Sequence, residues 1–393
     1  MPIRVVVKFG GDDLSNISKV RKAAQMIKAS GYGEIVVVVS AMGKATDNLV
    51  KNLSEIGEVE DADYADILSM GERTSARIFS AVMKSLGLES TYFDPQQDRW
   101  PIITDSNFKN AKPDLDETKS RVQKHLEPLL GDCIPVVCGF LGRDGEGNIT
   151  ILGRGGSDIT ATLLANCLEA EETILVKDTE GVLSADPHIV SNAKPLTELS
   201  VGEMFSLAQG GAKIVRPEAL RYKLSTQRLR VVNFSLGKLS EGGTEITGVF
   251  KSNSTEMKNH RGLTAITLVG NVNSENLRSL FSSLENGEIF GISTGKSSIT
   301  VFTKLEDSKR AVRRLHDLGC FKAVSSLENV GDVELVNPAF IDSPGWVAKI
   351  SNALASESIN ILEITTSKAT INVFVDEKRL DEALKVLGNA ISE

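Results

Sequence analysis

The residues best suited to chemistry lie at 151–158, ILGRGGSD, between a short apolar run and a helical pattern over 157–168. Glycines let the backbone approach a ligand closely, and the first amides of a helix lack internal partners and suit an anion. Arg154 can grip a carboxylate with two hydrogen bonds, and Asp158 can accept one from an ammonium group. This stretch therefore predicts binding of an amino acid and a phosphate. The alternative is that Ser157 or Asp158 only caps the helix.

Two further candidate sites follow apolar runs near the N-terminus. Lys8, Gly10 and Gly11 end the first run, where a lysine can neutralise phosphate, but it precedes the glycines and does not match the GxxxxGK[ST] loop. A lysine whose stem covers apolar surface would explain Lys8 equally well. Ser40 and Thr46 follow the second run, VVVVS, and their hydroxyls suit a carboxylate, although such residues are also common in turns and caps.

Glu72 and Phe140 complete the set of candidates. Glu72 lies in a helical pattern, where a solvated helix face is the simplest interpretation of a glutamate. Phe140 follows Gly139 at the end of another apolar run and adds a loop at the same edge of the predicted sheet.

The elements that must position these residues alternate between buried strands and helices. Strands are predicted at 3–9, 34–40, 134–140, 173–178 and 228–234, and helices at about 16–29 and 64–86. Such an alternation indicates a parallel sheet covered on both faces. Residues 1–250 are therefore predicted to form one α/β domain whose ligands bind at the carboxyl ends of its strands.

The pattern changes after residues 237–262, which are rich in Gly, Ser and Thr and which we interpret as a connection between domains. Residues 263–330 and 331–393 each show strand, helix, strand, strand and helix patterns, and the first copy adds a last strand. This order predicts two ferredoxin-like βαββαβ modules of about 65 residues. We expect 263–269 or a neighbouring strand to complete the second copy. The alternative is a generic α+β tail.

Length and composition limit the class of protein. The 393 residues suffice for two or three domains, and 41% hydrophobic with 24% charged residues is ordinary for a globular protein. A net charge of -8 argues against a broad nucleic-acid surface. Four cysteines without metal-ligand spacing fit a reducing cytoplasm. Neither a signal peptide nor a membrane-spanning run is expected.

Together the motifs resemble those of the aspartate kinases in the amino acid kinase superfamily. The shared segments are KFGG at Lys8, VVSAMG ending at Gly43, GE at Gly71, ITDSNF at Ile103, GF at Gly139, LGRGGSD at Leu152, ADP at Ala185 and GAKIVRP at Gly211. The paired C-terminal modules look like the ACT domains of that family. The resemblance covers essentially the whole chain and implies an amino acid kinase fold, with a mostly parallel sheet between helices, followed by two ACT modules.

The resemblance implies that ATP phosphorylates the side-chain carboxylate of L-aspartate to give 4-phospho-L-aspartate. It implies that Arg154 holds the α-carboxylate of aspartate and that Glu72 and Asp158 hold its ammonium group. Ser40 and Thr46, with the Phe140 loop, then position the side-chain carboxylate, and Ser157 is a further substrate-binding residue.

The resemblance also implies a catalytic pair, Lys8 and Asp158, with Lys8 bridging the attacking carboxylate and the γ-phosphoryl group. The implied ATP-binding residues are Lys8, Gly10, Gly11, Lys177, Asp178, Val182, Leu183, Asp186 and Lys213. Because a carboxylate is already ionised at neutral pH, it needs no general base. The site must instead offset the repulsion between two anions with lysines, helix amides and Mg²⁺.

The departures from the family pattern lie on the nucleotide side. Asp12 and Asp13 stand where Thr-Ser is usual, Lys177 replaces threonine, and Leu183 and His188 replace tyrosine and arginine. Two carboxylates beside a triphosphate should repel it unless Mg²⁺ bridges them, and Lys177 could restore a positive charge. We prefer the simpler interpretation that Asp12 and Asp13 only complement the dipole at the start of the following helix.

The resemblance places an amino-acid effector, lysine or threonine, where the first strand of an ACT module turns into its first helix. In the second copy the matching residues are Asp342, Pro344, Gly345 and Trp346, together with the strand end Ile364 and Thr365. The first copy lacks the Pro-Gly pair, so we expect any effector in the second. The alternative is that these modules only dimerise the enzyme.

Three functions remain open from the sequence. The leading hypothesis is an aspartate kinase that begins lysine, threonine and methionine synthesis as a cytoplasmic homodimer or larger oligomer. The second hypothesis is a kinase of the same fold that phosphorylates a related amino acid. It stays open because Arg154 with Glu72 indicates an α-amino acid but does not fix the length of its side chain. The third is a catalytically weak amino-acid sensor, which Asp12, Asp13 and Leu183 support.

Overall fold

The structure is a computed structural model that describes residues 2–153, 155–212, 214–249, 255–284, 287–340 and 344–392. Arg154, Lys213 and Asp342, which the sequence analysis singles out, lie outside these residues. The chain forms two compact units, Met1–Phe250 and Lys251–Glu393, and each is described by itself.

The first unit is built on a mostly parallel sheet. Its strands are β1 (Arg4–Phe9), β2 (Glu34–Val39), β3 (Ser90–Phe93), β4 (Ile134–Cys138), β7 (Glu172–Lys177), β8 (Glu198–Ser200), β9 (Arg228–Asn233) and β10 (Thr244–Thr247), and β5 (Leu141–Arg143) pairs with β6 (Ile149–Ile151) in a separate hairpin. The order across the sheet is β3-β4-β2-β1-β7-β9-β10-β8, and neighbouring strands are parallel except β9 and β10. The predicted α/β class with a mostly parallel sheet is confirmed.

The centre of this sheet follows directly from its sequence. β1 and β2 read RVVVKF and EIVVVV, and all but the first residue of each strand is buried. Strands that are apolar on both faces require helices on both sides. These helices are α1 (Ile17–Ala29), α2 (Ala45–Ile56), α3 (Asp61–Ser85), α4 (Leu115–His125), α5 (Gly156–Cys167) and α6 (Val201–Gln209). Because α5 packs on β1 and β7, its first turn reaches the carboxyl ends of both strands.

The second unit is an antiparallel sheet with helices. Its elements are β11 (Glu256–Val269), α7 (Ser274–Ser283), β12 (Glu288–Thr294), β13 (Ser298–Lys304), α8 (Ser308–Asp317), β14 (Ala323–Val336), α9 (Trp346–Ser356), β15 (Ile361–Ser367), β16 (Thr370–Asp376) and α10 (Leu380–Ser392). The strand order is β12-β13-β11-β14-β16-β15, and all neighbours are antiparallel.

The two longest strands, β11 and β14, each serve both βαββαβ repeats. Residues 264–269 of β11 pair with β13 in the first repeat, whereas 256–260 pair with 332–336 of β14. The start of β11, residues 256–260, therefore completes the second repeat, so the expected strand is the same one that carries 263–269. The division between the two units falls within the predicted connection over 237–262, but this stretch also contains β10 and the start of β11. Their sequences, TEIT and EMKNH, lack the apolar run that marks a buried strand.

One face of this sheet carries a buried acid. Asp332 on β14 is fully enclosed, lies opposite His260 in the strand register and accepts a hydrogen bond from Asn372 Nδ2 at 3.0 Å. Its other carboxylate oxygen has no hydrogen-bond partner among the described residues. Burial raises the pKa of Asp332 to about 6, although Asn372 and His260 oppose the shift. The ionised form is therefore a cost to the fold.

We expect Asp332→Asn to stabilise the protein at pH 7.5 by about 1 kcal/mol or more, with little effect near pH 4. Because the pKa is raised, the folded state binds more protons than the unfolded state between about pH 4 and pH 6. Stability is therefore lost as the pH rises through this window, and asparagine removes the loss. Urea unfolding of both proteins at the two pH values tests this; an equal difference at both would contradict it.

Candidate active site

Asp158 joins two lysines from neighbouring strands. Lys8, near the end of β1, places its Nζ 2.8 Å from Asp158 Oδ1. Lys177, the last residue of β7, places its Nζ 3.0 Å from Oδ2 and 3.2 Å from Oδ1 of the same carboxylate. Lys8 lies beside Leu175 in the parallel register, so Lys177 projects from the same face of the sheet two residues further along. The structure thus brings together two lysines and an acid that are far apart in sequence.

The charges of this buried cluster depend on one another. Burial alone would raise the pKa of Asp158, but Lys177 and Lys8 lower it to about 2. Burial lowers the pKa of Lys177 to about 8, and Lys8 adds to this effect while Asp158 opposes it. Asp158 is therefore an anion throughout the physiological range, and most Lys177 side chains are cations at pH 7.

The cluster lines a cavity of about 390 Å³. The other lining residues are Ser40, Gly155, Ser157, Ala208, Gly211, Ala212, Val215, Arg216 and Pro217. Among these described lining residues Asp158 is the one carboxylate, whereas Lys8, Lys177 and Arg216 are cationic. The cavity therefore suits an anion, and its serine hydroxyls can bind a carboxylate or a phosphate.

Glu72 is buried within the first unit, so the interpretation as a solvated helix face is wrong. Its Oε1 accepts a hydrogen bond from Ala41 N at 3.1 Å, and its Oε2 has no hydrogen-bond partner in the described part of the chain. Gly71 permits this approach, because a Cβ there would lie 2.8 Å from the Cβ of Ala41. Burial raises the pKa of Glu72 to about 7, although Ala41 and Lys8 oppose the shift. Such an unpaired buried oxygen suits a cationic ligand.

The hydroxyl residues predicted for the substrate lie at the same strand ends. Ser40 and Ser157 line the cavity. Gly139 lets Ser157 approach the end of β4, because a Cβ there would lie 2.7 Å from the Ser157 Cβ. Thr46 lies in the first turn of α2, and its hydroxyl is 3.6 Å from where a Cβ on Gly71 would stand. Thr46 therefore neighbours the helix that carries Glu72, although it does not line the cavity.

Phe140 follows β4 in a conformation that few non-glycine residues adopt. Its φ is 70°, and two hydrogen bonds hold it there. Its N–H donates to Thr160 Oγ1 at 3.0 Å, and its carbonyl accepts from Leu152 N at 2.8 Å. The ring is buried close to the first turn of α5, since a Cβ on Gly156 would lie 3.0 Å from it. Phe140 thus shapes the turn between the sheet and α5.

The glycine turn after β1 is held by a buried acid. Asp13 Oδ2 accepts a hydrogen bond from Gly10 N at 3.2 Å. Gly11 packs on the loop after β2, where a Cβ would lie 2.8 Å from the carbonyl oxygen of Ala41. Burial raises the pKa of Asp13 to about 6, while the hydrogen bond from Gly10 and the charge of Lys8 oppose the shift. Asp13 therefore fixes the turn that the resemblance assigns to phosphate.

The preferred interpretation of Asp12 and Asp13 is wrong for Asp13. Helix α1 begins at Ile17, and its N-cap Asn16 accepts the hydrogen bond from the first turn. Asp12 and Asp13 precede it in a short 3-10 turn, where Asp12 is exposed and Asp13 is buried. The Asp13 carboxylate thus faces the turn after β1 and does not act on α1 alone.

Apart from Lys177, the residues predicted on the nucleoside side of the site do not line this cavity. Asp178 and Asp186 are exposed, and Leu183 is half-buried. Val182 is enclosed, and its N–H donates to Thr244 Oγ1 at 2.8 Å, so its side chain and its amide are both engaged. The geometry therefore supports a role in ligand binding less directly for these four residues than for Lys8, Asp158 and Ser157.

Arg216 is a cavity residue that the sequence analysis does not single out. Its side chain crosses Gly155, where a Cβ would lie 2.1 Å from the Arg216 Cγ. Gly155 immediately precedes α5 and has a φ of 74°, a conformation that favours glycine. Because glycine has no Cβ, it also leaves room for the Arg216 side chain. The sequence could have indicated Arg216 as a site residue, because it belongs to the GAKIVRP segment that carries the resemblance.

In the second unit, the residues predicted for an effector lie on the second repeat. Gly345 has a φ of 97° and precedes α9, and Pro344 beside it is exposed. Trp346 and Ile364 are partly buried and pack against the same apolar core, while Thr365 next to Ile364 is half-buried. The loop and the strand end therefore share one core.

Comparisons with known proteins agree with this architecture. The profile of the amino acid kinase family matches residues 4–233, and that of the ACT domain matches residues 325–389. The aspartokinase of Corynebacterium glutamicum is 32% identical over 98% of this chain and 94% of its own length. The crystal structure of aspartate kinase from Synechocystis has a TM-score of 0.74 at 26% identity, over 99% of this chain and 70% of that one. E. coli aspartokinase III in complex with aspartate and ADP shares the fold, with a TM-score of 0.57 at 22% identity over 99% of this chain and 100% of its own.

The described residues contain neither a membrane-spanning helix nor a cluster of metal ligands. No helix there is both long and apolar enough to span a membrane. No group of three or more His, Cys, Asp and Glu side chains in the same residues is arranged to hold a metal ion.

Proposed function

The chain belongs to the aspartokinases of the amino acid kinase family, and from this premise we propose that the cavity at Asp158 is where the reaction takes place. Aspartokinases are ATP-dependent kinases that phosphorylate aspartate, and this chain is one of them. The observation that carries the proposal is the buried carboxylate of Asp158, held between Lys8 at 2.8 Å and Lys177 at 3.0 Å beside a cationic cavity. Such a site offsets the charge of two reacting anions.

The ammonium group of aspartate is proposed to bind Glu72. Both oxygens of Asp158 already contact lysines, whereas Glu72 Oε2 has no partner among the described residues. Ser40 and Thr46 supply hydroxyls for the side-chain carboxylate. Arg154 is proposed for the α-carboxylate on the strength of the resemblance, because its position lies outside the described residues.

The reaction requires charge compensation more than proton transfer. The attacking carboxylate, with a reference pKa of about 3.9, is already a nucleophile. Two unit charges about 4 Å apart repel by about 4 kcal/mol at an effective dielectric constant of about 20. As the side-chain oxygen bonds to the γ-phosphorus, the bond from that phosphorus to the β–γ bridging oxygen breaks and ADP leaves. Lys8 is proposed to stabilise the oxygens of the transferred group.

Mg²⁺ takes oxygen ligands, and the described carboxylates that would hold it beside ATP are proposed to be Asp13 and Asp178. These two lie within electrostatic range of each other. When bound, the ion would neutralise charge on the β- and γ-phosphates.

The proposal is tested with purified protein, Mg²⁺ and ATP, with and without L-aspartate, while hydroxylamine traps the acyl phosphate. We expect release of ADP that depends on aspartate, together with the aspartate hydroxamate. A folded protein that binds aspartate but turns over neither ATP nor GTP would contradict the proposal. That result would favour the amino-acid sensor.

We also propose that the second unit binds lysine or threonine at Pro344–Trp346 and joins two chains into a homodimer. The left-handed Gly345 turns the chain into α9, and the first amides of that helix suit an α-carboxylate. Calorimetry with lysine, threonine and methionine should show binding of at least one, weakened about tenfold or more by Trp346→Ala. Absence of binding by all three would leave these modules a structural role only.

A further inference from the structure

We propose that Lys177 is a second phosphate-binding cation, which Asp158 holds in the free enzyme and which contacts the triphosphate of ATP together with Lys8. The proposal rests on the proposed function of the cavity and deepens it. The resemblance places Lys177 only at the border of the nucleoside, at a position where the family usually has threonine. Threonine can donate a hydrogen bond, but it brings no charge.

The first support is the balance of charge. The single negative charge of Asp158 faces two ammonium groups, at 2.8 Å and 3.0 Å, and the side chains of Lys8 and Lys177 are only 6% and 18% exposed. Counting only the groups in direct ion-pair contact, the cluster thus carries one excess positive charge in a largely buried place. Buried charge without a counter-ion is costly, so the cluster is prepared for an anionic ligand.

The nearby acids offset part of this charge, but among the described residues neither forms an ion pair with Lys8 or Lys177. The Asp13 carboxylate lies within electrostatic range of both lysines and accepts the hydrogen bond from Gly10 N. The Glu72 carboxylate lies within range of Lys8, accepts a hydrogen bond from Ala41 N and is half-protonated at its pKa of about 7. Arg216, which also lines the cavity, adds another cation.

The second support is the direction in which Lys177 points. It leaves the sheet on the same face as Lys8, so both ammonium groups stand over the cavity at the ends of adjacent strands. An ammonium group has three donor protons. The Lys177 Nζ donates to both carboxylate oxygens of Asp158, at 3.0 Å and 3.2 Å. Phosphate oxygens arriving in the cavity can therefore replace part of this contact without leaving Asp158 unpaired, because Lys8 remains.

The third support is the contrast with the proposed nucleoside border. Val182 is enclosed, and Asp178 and Asp186 are exposed outside the cavity. Lys177 alone among the residues predicted for that border lines the cavity with Lys8. Its charge therefore lies on the side of the site that the phosphates are proposed to occupy.

The test compares Lys177→Thr with Lys119→Thr. Lys119 forms an ion pair of the same 3.0 Å length with Glu169 at the surface of the same unit, so it reports the loss of an ordinary pair. Calorimetry measures binding of ATP, ADP, AMP and adenosine with Mg²⁺ and without aspartate. We expect Lys177→Thr to lower the affinity for ATP about 30-fold or more and the affinity for ADP by a smaller factor. The affinities for AMP and adenosine should change less than about twofold. Lys119→Thr should change none of them.

Two results would overturn the proposal: equal losses for adenosine and ATP, which would place Lys177 on the nucleoside, or unchanged affinity for ATP. Lys177→Arg keeps the charge and should bind ATP within about tenfold of the wild type. Because aspartate is left out, these results stand even if the aspartate-dependent turnover fails, so the two proposals fail separately.

A second measurement uses the wild type and remains available if Lys177→Thr does not fold. Burial lowers the pKa of Lys177 to about 8, and contact with phosphate would raise it. ATP binding at pH 8.5 should then take up protons, which calorimetry in two buffers of different ionisation enthalpy detects. No uptake in the wild type would contradict the proposal. An uptake that persists in a folded Lys177→Thr would also contradict it.

Discussion

Lys8→Ala is expected to lower turnover by about 100-fold or more while leaving the affinity for aspartate nearly unchanged. Lys8 is proposed to contact the γ-phosphoryl group as charge develops on it, whereas the ammonium group of aspartate is assigned to Glu72. Removing one preorganised cation therefore acts on the transition state more than on the bound substrate. The measurement is the turnover number from ADP release, together with aspartate binding by calorimetry.

The fold should survive this substitution. Asp158 keeps its ion pair with Lys177 at 3.0 Å, so no buried carboxylate is left without a cation. Lys119→Ala, which removes an exposed pair, serves as the control and should have normal turnover. Near-normal turnover of Lys8→Ala would remove Lys8 from the catalytic residues. A loss confined to the KM for aspartate would assign it to substrate binding instead.

The parallel sheet could be predicted because its central strands carry their own signal. Runs such as VVVVS over 36–40 must be buried on both faces, and helical patterns between them imply crossover connections. The strands β10 and the start of β11 could not be found in this way. Their residues alternate between polar and apolar or are only partly buried, and pairing with β8, β9 and β14 makes them strands.

Part of the site could also be predicted, because glycines and charged residues at strand ends meet at one edge of a parallel sheet. The sequence placed Lys8 and Asp158 there, but it did not show that Lys177 shares the Asp158 carboxylate. That contact depends on the register of β1 against β7. Nor did it show that Glu72 is buried, because the pattern of α3 alone does not reveal which loop packs on Gly71.

Glu72→Gln is expected to weaken aspartate binding about 100-fold at pH 8 while making the fold more stable. Glutamine can keep the hydrogen bond from Ala41 N, which is 3.1 Å long in the wild type, but it cannot neutralise an ammonium group. Losing one buried charge-assisted contact costs about 3 kcal/mol, which corresponds to about 100-fold in affinity. Calorimetry with L-aspartate measures the loss.

In the wild type the affinity for aspartate should itself depend on pH. Burial raises the pKa of Glu72 to about 7, and only the ionised carboxylate can pair with an ammonium group. Between pH 6 and pH 8 the affinity should therefore rise about tenfold. Glu72→Gln should bind equally weakly at both pH values, and a persistent rise in this variant would assign the titration to another group.

The stability of the fold should change with pH in the opposite direction. The pKa of Glu72 in the folded state is above its ordinary value of 4.5, so the folded state binds more protons between about pH 4.5 and pH 7. Stability is lost as the pH rises through that window, and glutamine should restore about 1 to 3 kcal/mol at pH 8 and almost nothing at pH 4.5. Urea unfolding at the two pH values measures the difference.

Asp332→Asn is the matched comparison, because it removes another buried carboxyl with a raised pKa, in the second unit. Both variants should gain stability at high pH, but only Glu72→Gln should lose affinity for aspartate. If Glu72→Gln gained stability and still bound aspartate normally, its unpaired oxygen would be a cost to the fold without a ligand to explain it. The combination of lost affinity and gained stability would instead show that this carboxylate is kept buried for its substrate, at the expense of the free protein.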